Sequence, residues 1–428
     1  MSLIKILQWL VFLYGLYFLC IATAGLFNKL PCREHKPASR FAIIVPAHNE
    51  ELVLSKLLSN LAELDYPKGL YDVYVIADHC TDGTALVARR YGAIVWERSG
   101  GQRGKGRSLR ELLAHLKFTG CGEPRYDAVT IVDADNLVAL NYLRVMNNHL
   151  LEGEKLIQCF IDAKNPNDSW VTAVFSINFW LNNRFILQAR HNLGLSSLTA
   201  GSGVCIAAEV LKKTGWSTET LTEDLEYAVT ALLHGYRASF ARETRVFDEK
   251  PLTFSAACRQ RLRWARGQLN VAIRFIPRLL WKGLVHADLA RLEGGVRLMQ
   301  LPLLALGVLM TSLAPLQPAL FRDTSLYFQV SKLCPPLALF FASVPYLMPF
   351  AVLALDRLPL KPYRYFCFYP FFYLSWIGLI LYAIFTFRKQ LWVPTKHTCN
   401  LDHRQLPAAF RYNPRLQLKP RRLEIKKV

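Results

Sequence analysis

Phe41-Ala-Ile-Ile-Val-Pro-Ala-His-Asn-Glu-Glu51 is a short apolar run that ends abruptly in polar residues, the pattern of a buried strand whose last residues emerge at a sheet edge. A helix-like segment follows, and then Val73-Tyr-Val-Ile-Ala-Asp78 supplies a second apolar run ending in a carboxylate. Strand, helix, strand predicts parallel βαβ units and an α/β fold. Ligands bind such sheets at the carboxyl ends of the strands, where Asn49, Glu50 and Asp78 are expected. A third run, Ala128-Val-Thr-Ile-Val-Asp-Ala-Asp135, ends in two carboxylates that an extended backbone places on one face. Such a pair repels itself unless a cation intervenes, and hard oxygen ligands favour Mg²⁺ or Mn²⁺ bridging to a diphosphate.

Four other segments carry chemistry. Gly100-Gly-Gln-Arg-Gly-Lys-Gly106 is glycine-rich and basic, suited to letting backbone amides, Arg103 and Lys105 approach a phosphate, although a flexible surface loop has the same composition. It lacks the ending and spacing of a Walker loop. Thr81 and Asp82 precede an expected helix over 85–91 and read equally as its cap. Leu221-Thr-Glu-Asp-Leu-Glu226 starts another helix: Thr222 is a possible N-cap, and Asp224 either complements the helix dipole or acts as a general base. Gln260-Arg-Leu-Arg-Trp264 places Gln260, Arg263 and Trp264 on one helical face, where arginine binds a pyrophosphate and an indole stacks on a sugar ring or anchors in the core.

The 428 residues allow one sizeable catalytic domain with membrane segments at both ends. Ile6 to Phe27 carries no charge and is long enough to cross a bilayer. Three more apolar stretches, at about 298–321, 333–355 and 365–387, complete an expected count of four spans, with kinks at their prolines. The implied organisation is an anchor (1–30), a cytoplasmic catalytic domain (40–268), an amphipathic interfacial segment (269–297), a membrane bundle (298–387) and a basic tail (388–428). In the interfacial segment Asn270, Arg274, Arg278 and Lys282 form a polar face, Leu269, Ile273, Ile276, Leu280 and Leu284 an apolar one, and Pro277 predicts a break. The net charge of +20 is concentrated in the tail, whose eleven Lys/Arg against two acids suit anionic lipid headgroups rather than nucleic acid. Three spans after a cytoplasmic domain leave that tail on the opposite side, against the positive-inside tendency. The ten scattered cysteines read as reduced thiols, as expected of a cytoplasmic domain.

As an ordered set, Pro46-Ala-His-Asn-Glu50, Asp78, Gly104-Lys-Gly106, Asp133-Ala-Asp135, Thr222-Glu-Asp224 and Gln260-Arg-Leu-Arg-Trp264 resemble the membrane-bound glycosyltransferase family 2 enzymes, the superfamily of cellulose, chitin and hyaluronan synthases. Ala77–Asp82, Asp133–Asn136, Lys164–Trp170 and Asn192–Ser196 look like its bacterial exopolysaccharide branch, of the methanolan-synthesis type. The resemblance implies a GT-A fold, a Rossmann-like mixed sheet, joined to transmembrane helices in the cell membrane. It implies inverting transfer from a nucleotide sugar, a UDP-hexose, to a growing saccharide in exopolysaccharide or cell-surface polysaccharide synthesis, with a lipid-linked acceptor as the alternative and export or accessory subunits as possible partners. Pro46, Asn49, Glu50, Asp78, Lys105, Asp133, Gln260 and Arg263 would bind the donor, with Asp78 at its base. Asp135 with Asp133 would hold the metal, Asp224 would be the base, and Gly201, Ser202, Gly203, Glu223 and Trp264 would meet the acceptor. The QxxRW motif favours polymerisation, the small bundle leaves single-sugar addition open, and an inactive transferase-fold subunit of an export assembly is the alternative from another class. Trp392–Thr398 looks like a family tail motif that approaches the site.

Overall fold

The computed structural model describes residues 3–313, 334–389 and 401–405. In chain order the strands are β1 (Phe41–Ala47), β2 (Tyr71–Asp78), β3 (Ile94–Arg98), β4 (Ala128–Ile131), β5 (Leu137–Val138), β6 (Leu156–Ala163), β7 (Val204–Ala207) and β8 (Ala238–Asp248). The helices are α1 (Leu3–Ala24), α2 (Glu51–Ala62), α3 (Thr84–Arg90), α4 (Lys105–His115), α5 (Tyr142–Leu151), α6 (Trp170–Asn182) and α7 (Ala189–Asn192). They continue as α8 (Ala208–Thr214), α9 (Glu223–Leu233), α10 (Phe254–Val285), α11 (Leu289–Leu298), α12 (Gln300–Leu313), α13 (Pro335–Asp356) and α14 (Tyr369–Thr386).

All eight strands form one mixed sheet in the order β3-β2-β1-β4-β7-β6-β8-β5. The expected βαβ units are present: β1 pairs in parallel with β2 and β4, and β2 with β3. β7 runs antiparallel between β4 and β6, and β8 is parallel to β6. The ends of β1, β2, β4 and β8 and the start of β7 therefore share one edge, which gathers Asn49, Asp78, Asp133, Asp248 and the Gly201–Gly203 turn. Successive residues of β1 point to opposite faces, as a pleated strand requires: Ile43 and Val45 pack with Leu54, Leu57 and Met146 of α2 and α5, while Ala42 and Ile44 pack with Leu109, Leu113 and Leu211 of α4 and α8. Burial on both faces explains why β1 is a continuous apolar run, and each such side chain contributes about 1.5–3 kcal/mol.

The interfacial segment differs from expectation. α10 is one helix of 32 residues running through Pro277 without a break. The carbonyl that a proline at 277 frees is that of Ile273, which is exposed, so its lost partner leaves no buried acceptor orphaned. The faces differ in part: Leu269 and Ile276 pack inward and Arg274, Arg278 and Lys282 are exposed, as expected, but Ile273 and Leu284 are exposed as well. Val271, Ala272, Phe275 and Leu279 are buried against α9 and α11, while Ile273, Trp281, Leu284 and Val285 are exposed. Two of the polar positions have protein partners: Asn270 Nδ2 donates to Phe387 O (2.8 Å), and Arg274, itself exposed, pairs with Glu219 (3.3 Å) and Glu226 (3.4 Å).

Among the described residues two helical runs are long and apolar enough to cross a membrane, Ile6–Ala24 and Lys361–Thr386, with a shorter apolar stretch at Ser343–Asp356. The expected span at 298–321 is helical as far as Leu313, and the rest of it lies outside the described residues, as do Trp392–Thr398 and most of the tail. The segment 401–405 returns to the catalytic domain, where His403 Nε2 lies 2.8 Å from Glu63 Oε2 and Arg404 pairs with the same carboxylate. These contacts hold His403 and Arg404 against the end of α2 in the catalytic domain. At the other junction Asp356, which ends α13, pairs with Arg184 (3.0 Å) and Arg242 (2.6 Å), and Asn28 beyond α1 accepts from Arg184 Nη1 (2.6 Å). The nine described cysteines are free thiols, as expected.

Candidate active site

The loops leaving β1 and β2 are clasped together. Asn49, with a left-handed φ of 57°, accepts from Thr81 N (2.8 Å), and the His48 ring bonds Asp78 O (2.7 Å). Asp82 accepts from Thr84 N (3.0 Å) and Glu51 N (3.1 Å), which supports its reading as a cap. Asn49 is consequently a clasp and does not line the cavity beside it, unlike Pro46 and Glu50.

Asp78 is the hub of the glycine-rich loop. Its Oδ1 accepts from Arg98 Nη1 (2.8 Å) and pairs with the His79 ring (2.7 Å), and its Oδ2 accepts from Gly104 N (3.1 Å). Burial alone would raise this carboxyl, but the bonds from Gly104, His79 and Arg98 outweigh it and hold it below the usual range. Sequence reading passed over Arg98, the buried last residue of β3, whose guanidinium also bonds Gln102 O (2.9 Å) and Glu111 (2.9 Å). Its one signal was a charge closing a strand beside Asp78.

Lys105, the first residue of α4, crosses the site. Its Nζ bonds Asp133 Oδ1 (2.5 Å) and Gly201 O (2.7 Å) and lies 3.5 Å from Glu223 Oε1. Burial would discharge this ammonium, yet Asp133 and Glu223 overcome it and keep Lys105 protonated. Burial and neighbouring Asp224 push Glu223 up despite Lys105. Asp224 Oδ2 accepts from Gly201 N (2.6 Å), and its backbone carbonyl accepts from Thr199 Oγ1 (2.9 Å). Ser202 Oγ accepts from Asp133 N (3.1 Å) and Asn136 Nδ2 (2.6 Å), so one turn, 201–203, is tied to the metal-type carboxylate and to the expected base. Gly203 faces inward instead: at φ +69° a Cβ there would stand 2.4 Å from Cys159 Sγ, which makes it a packing residue.

Asp133 and Asp135 open onto one cavity together with Asp248 from the end of β8. Burial and Asp135 push the Asp248 carboxyl up against the pull of Lys250, whose Nζ is 2.6 Å away. The described residues hold no cage of three or more His, Cys, Asp or Glu. Two carboxylates facing an open cavity fit a hard cation that takes its other ligands from phosphates and water. Asp248 and Lys250 were not foreseen, because β8 gives no apolar run ending in a motif.

α10 forms the opposite wall. Gln260, Arg263 and Trp264 all face the cavity, as the helical spacing predicts; Gln260 Oε1 is buried with no protein partner among the described residues, and Trp264 packs edge-on to Phe175 (5.8 Å between centroids). Of the expected site residues only Asn49 and Gly203 do not line this cavity of about 1720 Å³. It extends past the carboxylates between α1, α12 and α14, where Phe18, Leu19, Leu301, Leu304, Tyr373 and Trp376 line it.

With this geometry in place, comparison with known proteins decides the family: the model described as "Glycosyltransferase like family 2" matches residues 37–267. The chain belongs to glycosyltransferase family 2. This family 2 chain is 30% identical over 239 residues to the beta-monoglucosyldiacylglycerol synthase of Nostoc sp. (53% of this chain, 48% of the relative). It is 24% identical over 254 residues to the probable glycosyltransferase YdaM of Bacillus subtilis (56% and 58%), and 26% identical over 265 residues to an N-acetylglucosaminyltransferase of Rhizobium meliloti (58% and 59%). It spans about half the length of the curated relatives it matches. Among solved structures it resembles the mannosyltransferase PcManGT from Pyrobaculum calidifontis, in complex with GDP-Man and Mn²⁺, with a TM-score of 0.53 and 20% identity over 84% of this chain and 99% of that one, which supports the GT-A fold.

Proposed function

We propose that this family 2 glycosyltransferase transfers a sugar, with inversion, from a nucleotide-sugar donor to a hydroxyl of a lipid-anchored acceptor at a membrane. The observation that carries the reading is one continuous cavity whose sheet-edge end is carboxylate-lined and whose far end is walled by apolar helices, two of which belong to membrane-length segments. A lipid tail fits the far end while its headgroup reaches Asp224. Asp224 is the base: Gly201 N–H occupies one oxygen, leaving the other for the acceptor proton. Asp78 fixes the Gly104 loop at the nucleotide, Arg263 and Gln260 face the diphosphate, and Lys105 bridges Asp133 and Glu223. Asp133 and Asp135 would hold Mg²⁺ or Mn²⁺, which when bound stabilises charge on the leaving diphosphate. Inversion needs one in-line displacement and no enzyme nucleophile. The buried thiols of Cys159 and Cys205, pushed up by burial, are unsuited to such a role.

Polymerisation is the second reading, supported by Trp264, Tyr373 and Trp376 along the cavity, where rings can stack on a glycan. The exposed apolar residues Ile273, Trp281, Leu284 and Val285 of α10 fit contact with the bilayer surface. The test is a donor screen on membranes containing the full chain, following nucleotide release with and without Mn²⁺ or Mg²⁺. Label in the organic phase on a single-sugar lipid supports the first reading, water-soluble polymer supports the second, and no release from any donor refutes both.

A further inference from the structure

The cavity carries a second polar point, on the wall away from the paired carboxylates. Arg297, in the last turn of α11, lines it beside Tyr14 and Phe18 of α1 and Leu301 of α12. Its Nη1 donates to Ser197 O (2.8 Å), and among the described residues it forms no ion pair. The carboxylate one turn earlier, Glu293, is already engaged, since its Oε1 accepts from Arg190 Nε (2.8 Å) and from the Tyr17 hydroxyl (2.5 Å). Glu293 thus neutralises Arg190, and the Arg297 charge has no ion-pair partner among the described residues. Burial, with Arg190 adding repulsion, pushes Arg297 down to about 9. The Tyr14 hydroxyl, on the same wall, is buried and has no hydrogen-bond partner among the described residues. A desolvated cation and an unused donor are costly when empty and strongly favour an anion when filled.

We propose that Arg297 and Tyr14 bind the phosphate or phosphate ester of a lipid acceptor whose chain lies between α1, α12 and α14, an inference that rests on the lipid-acceptor reading above. The distance suits it. Ser197, which Arg297 holds, is four residues from Gly201, which Lys105 and Asp224 hold, a reach of at most about 14 Å. With the hydrogen bonds at either end, the guanidinium and the Asp224 carboxylate lie within about 20 Å of each other, a span that a phosphorylated headgroup and its first chain atoms can bridge. A guanidinium presents paired donors that match phosphate geometry, which an ammonium does not.

The experiment measures binding of dodecyl phosphate, dodecanol and inorganic phosphate to the full chain in neutral detergent, for the native protein, Arg297→Gln and Arg297→Lys. The native protein is expected to prefer dodecyl phosphate over dodecanol by at least about tenfold, Arg297→Gln to bring the two within about twofold, and Arg297→Lys to keep part of the preference. Equal binding of the phosphate and the alcohol by the native protein overturns the proposal, as does an undiminished preference in Arg297→Gln. Inorganic phosphate binding as tightly as dodecyl phosphate overturns the lipid assignment in favour of a free anion. Should Arg297→Gln fail to fold, the native comparison and Arg297→Lys still decide. An Arg297-dependent preference without any lipid-phase product in the donor screen sinks the acceptor reading alone, whereas lipid product with no such preference sinks this inference alone.

Discussion

Replacing Asp224 with Asn separates chemistry from architecture at this site. Asp224 Oδ2 accepts the Gly201 N–H at 2.6 Å, and an asparagine can present its carbonyl oxygen in the same place, so the 201–203 turn and the Ser202 contact to Asp133 N survive. The change falls on the other position, where a carboxylate oxygen becomes an amide nitrogen that cannot take a proton. A positioned general base contributes about 10²–10⁴ in rate, so kcat should fall by that factor, roughly 2.7–5.4 kcal/mol of barrier, while the donor KM moves less than about threefold. Asp224→Ala should do worse on both, because it also releases the turn. Glu223→Gln is the control one residue away: it relaxes the hold on Lys105 and should act mainly on donor KM. The assay is initial-rate nucleotide release at saturating acceptor, with donor binding measured separately by equilibrium titration. Asp224→Asn retaining more than about a fifth of kcat would falsify the base assignment.

The neighbouring contacts carry four more expected outcomes. Asp133→Asn and Asp135→Asn should raise the Mn²⁺ concentration needed for half-maximal nucleotide release at least about tenfold, and Asp248→Asn by less, so metal titrations that superimpose on the native curve would exclude these carboxylates. Gly203→Ala should cost about 2–5 kcal/mol, from a left-handed φ of +69° plus a Cβ 2.4 Å from Cys159 Sγ, and Cys159→Ala should restore part of it in thermal unfolding; independent, additive effects would refute the clash. Asp78 is held below its ordinary range, so its contribution to stability is present above that range and is lost as pH falls below about 4; Asp78→Asn should start less stable at neutral pH and show a shallower acid slope, and parallel slopes would count against it. Arg98→Met should loosen the loop through Gln102 and Gly104 and raise donor KM with kcat little changed, which stopped-flow binding would contradict if the on-rate and affinity were native.

Local periodicity made part of this architecture legible in the sequence. β1, β2 and β4 are buried on both faces, so their apolar runs announced them and put Asp78 and Asp133 at one sheet edge, where ligands of such sheets bind. Helical spacing likewise brought Gln260, Arg263 and Trp264 to one wall. Residues whose roles depend on strand order were not legible. β8 alternates buried and partly exposed positions, and only its place beside β6 brings Asp248 to the same edge as Asp133. Arg98 matters because β3 pairs with β2 in a register that sets it opposite Asp78. The faces of α10 were legible only in part: Leu269 and Ile276 pack inward and Arg274, Arg278 and Lys282 stay exposed as polarity suggests, but which apolar positions α9 and α11 cover, leaving Ile273 and Leu284 exposed, depends on tertiary partners.

The same dependence on tertiary partners decides how the two ends of the chain should be understood. As sequence, 6–27 and the stretches beyond 298 read as anchors, interchangeable with any other apolar helix of sufficient length. In the fold they are specific. Asn28 beyond α1 and Asp356 of α13 meet Arg184 and Arg242 of the catalytic domain in a network whose Arg184–Asp356 pair is almost wholly removed from water. Breaking one partner of such a pair typically costs about 3–5 kcal/mol, far more than a surface ion pair. Helices held that firmly cannot serve only as tethers: they fix the walls of the cavity that Asp224 faces. An Asp356→Asn chain should therefore lose acceptor affinity with donor binding retained. Equal acceptor KM in the two chains, measured at matched expression and folding, would return these helices to the role of anchors.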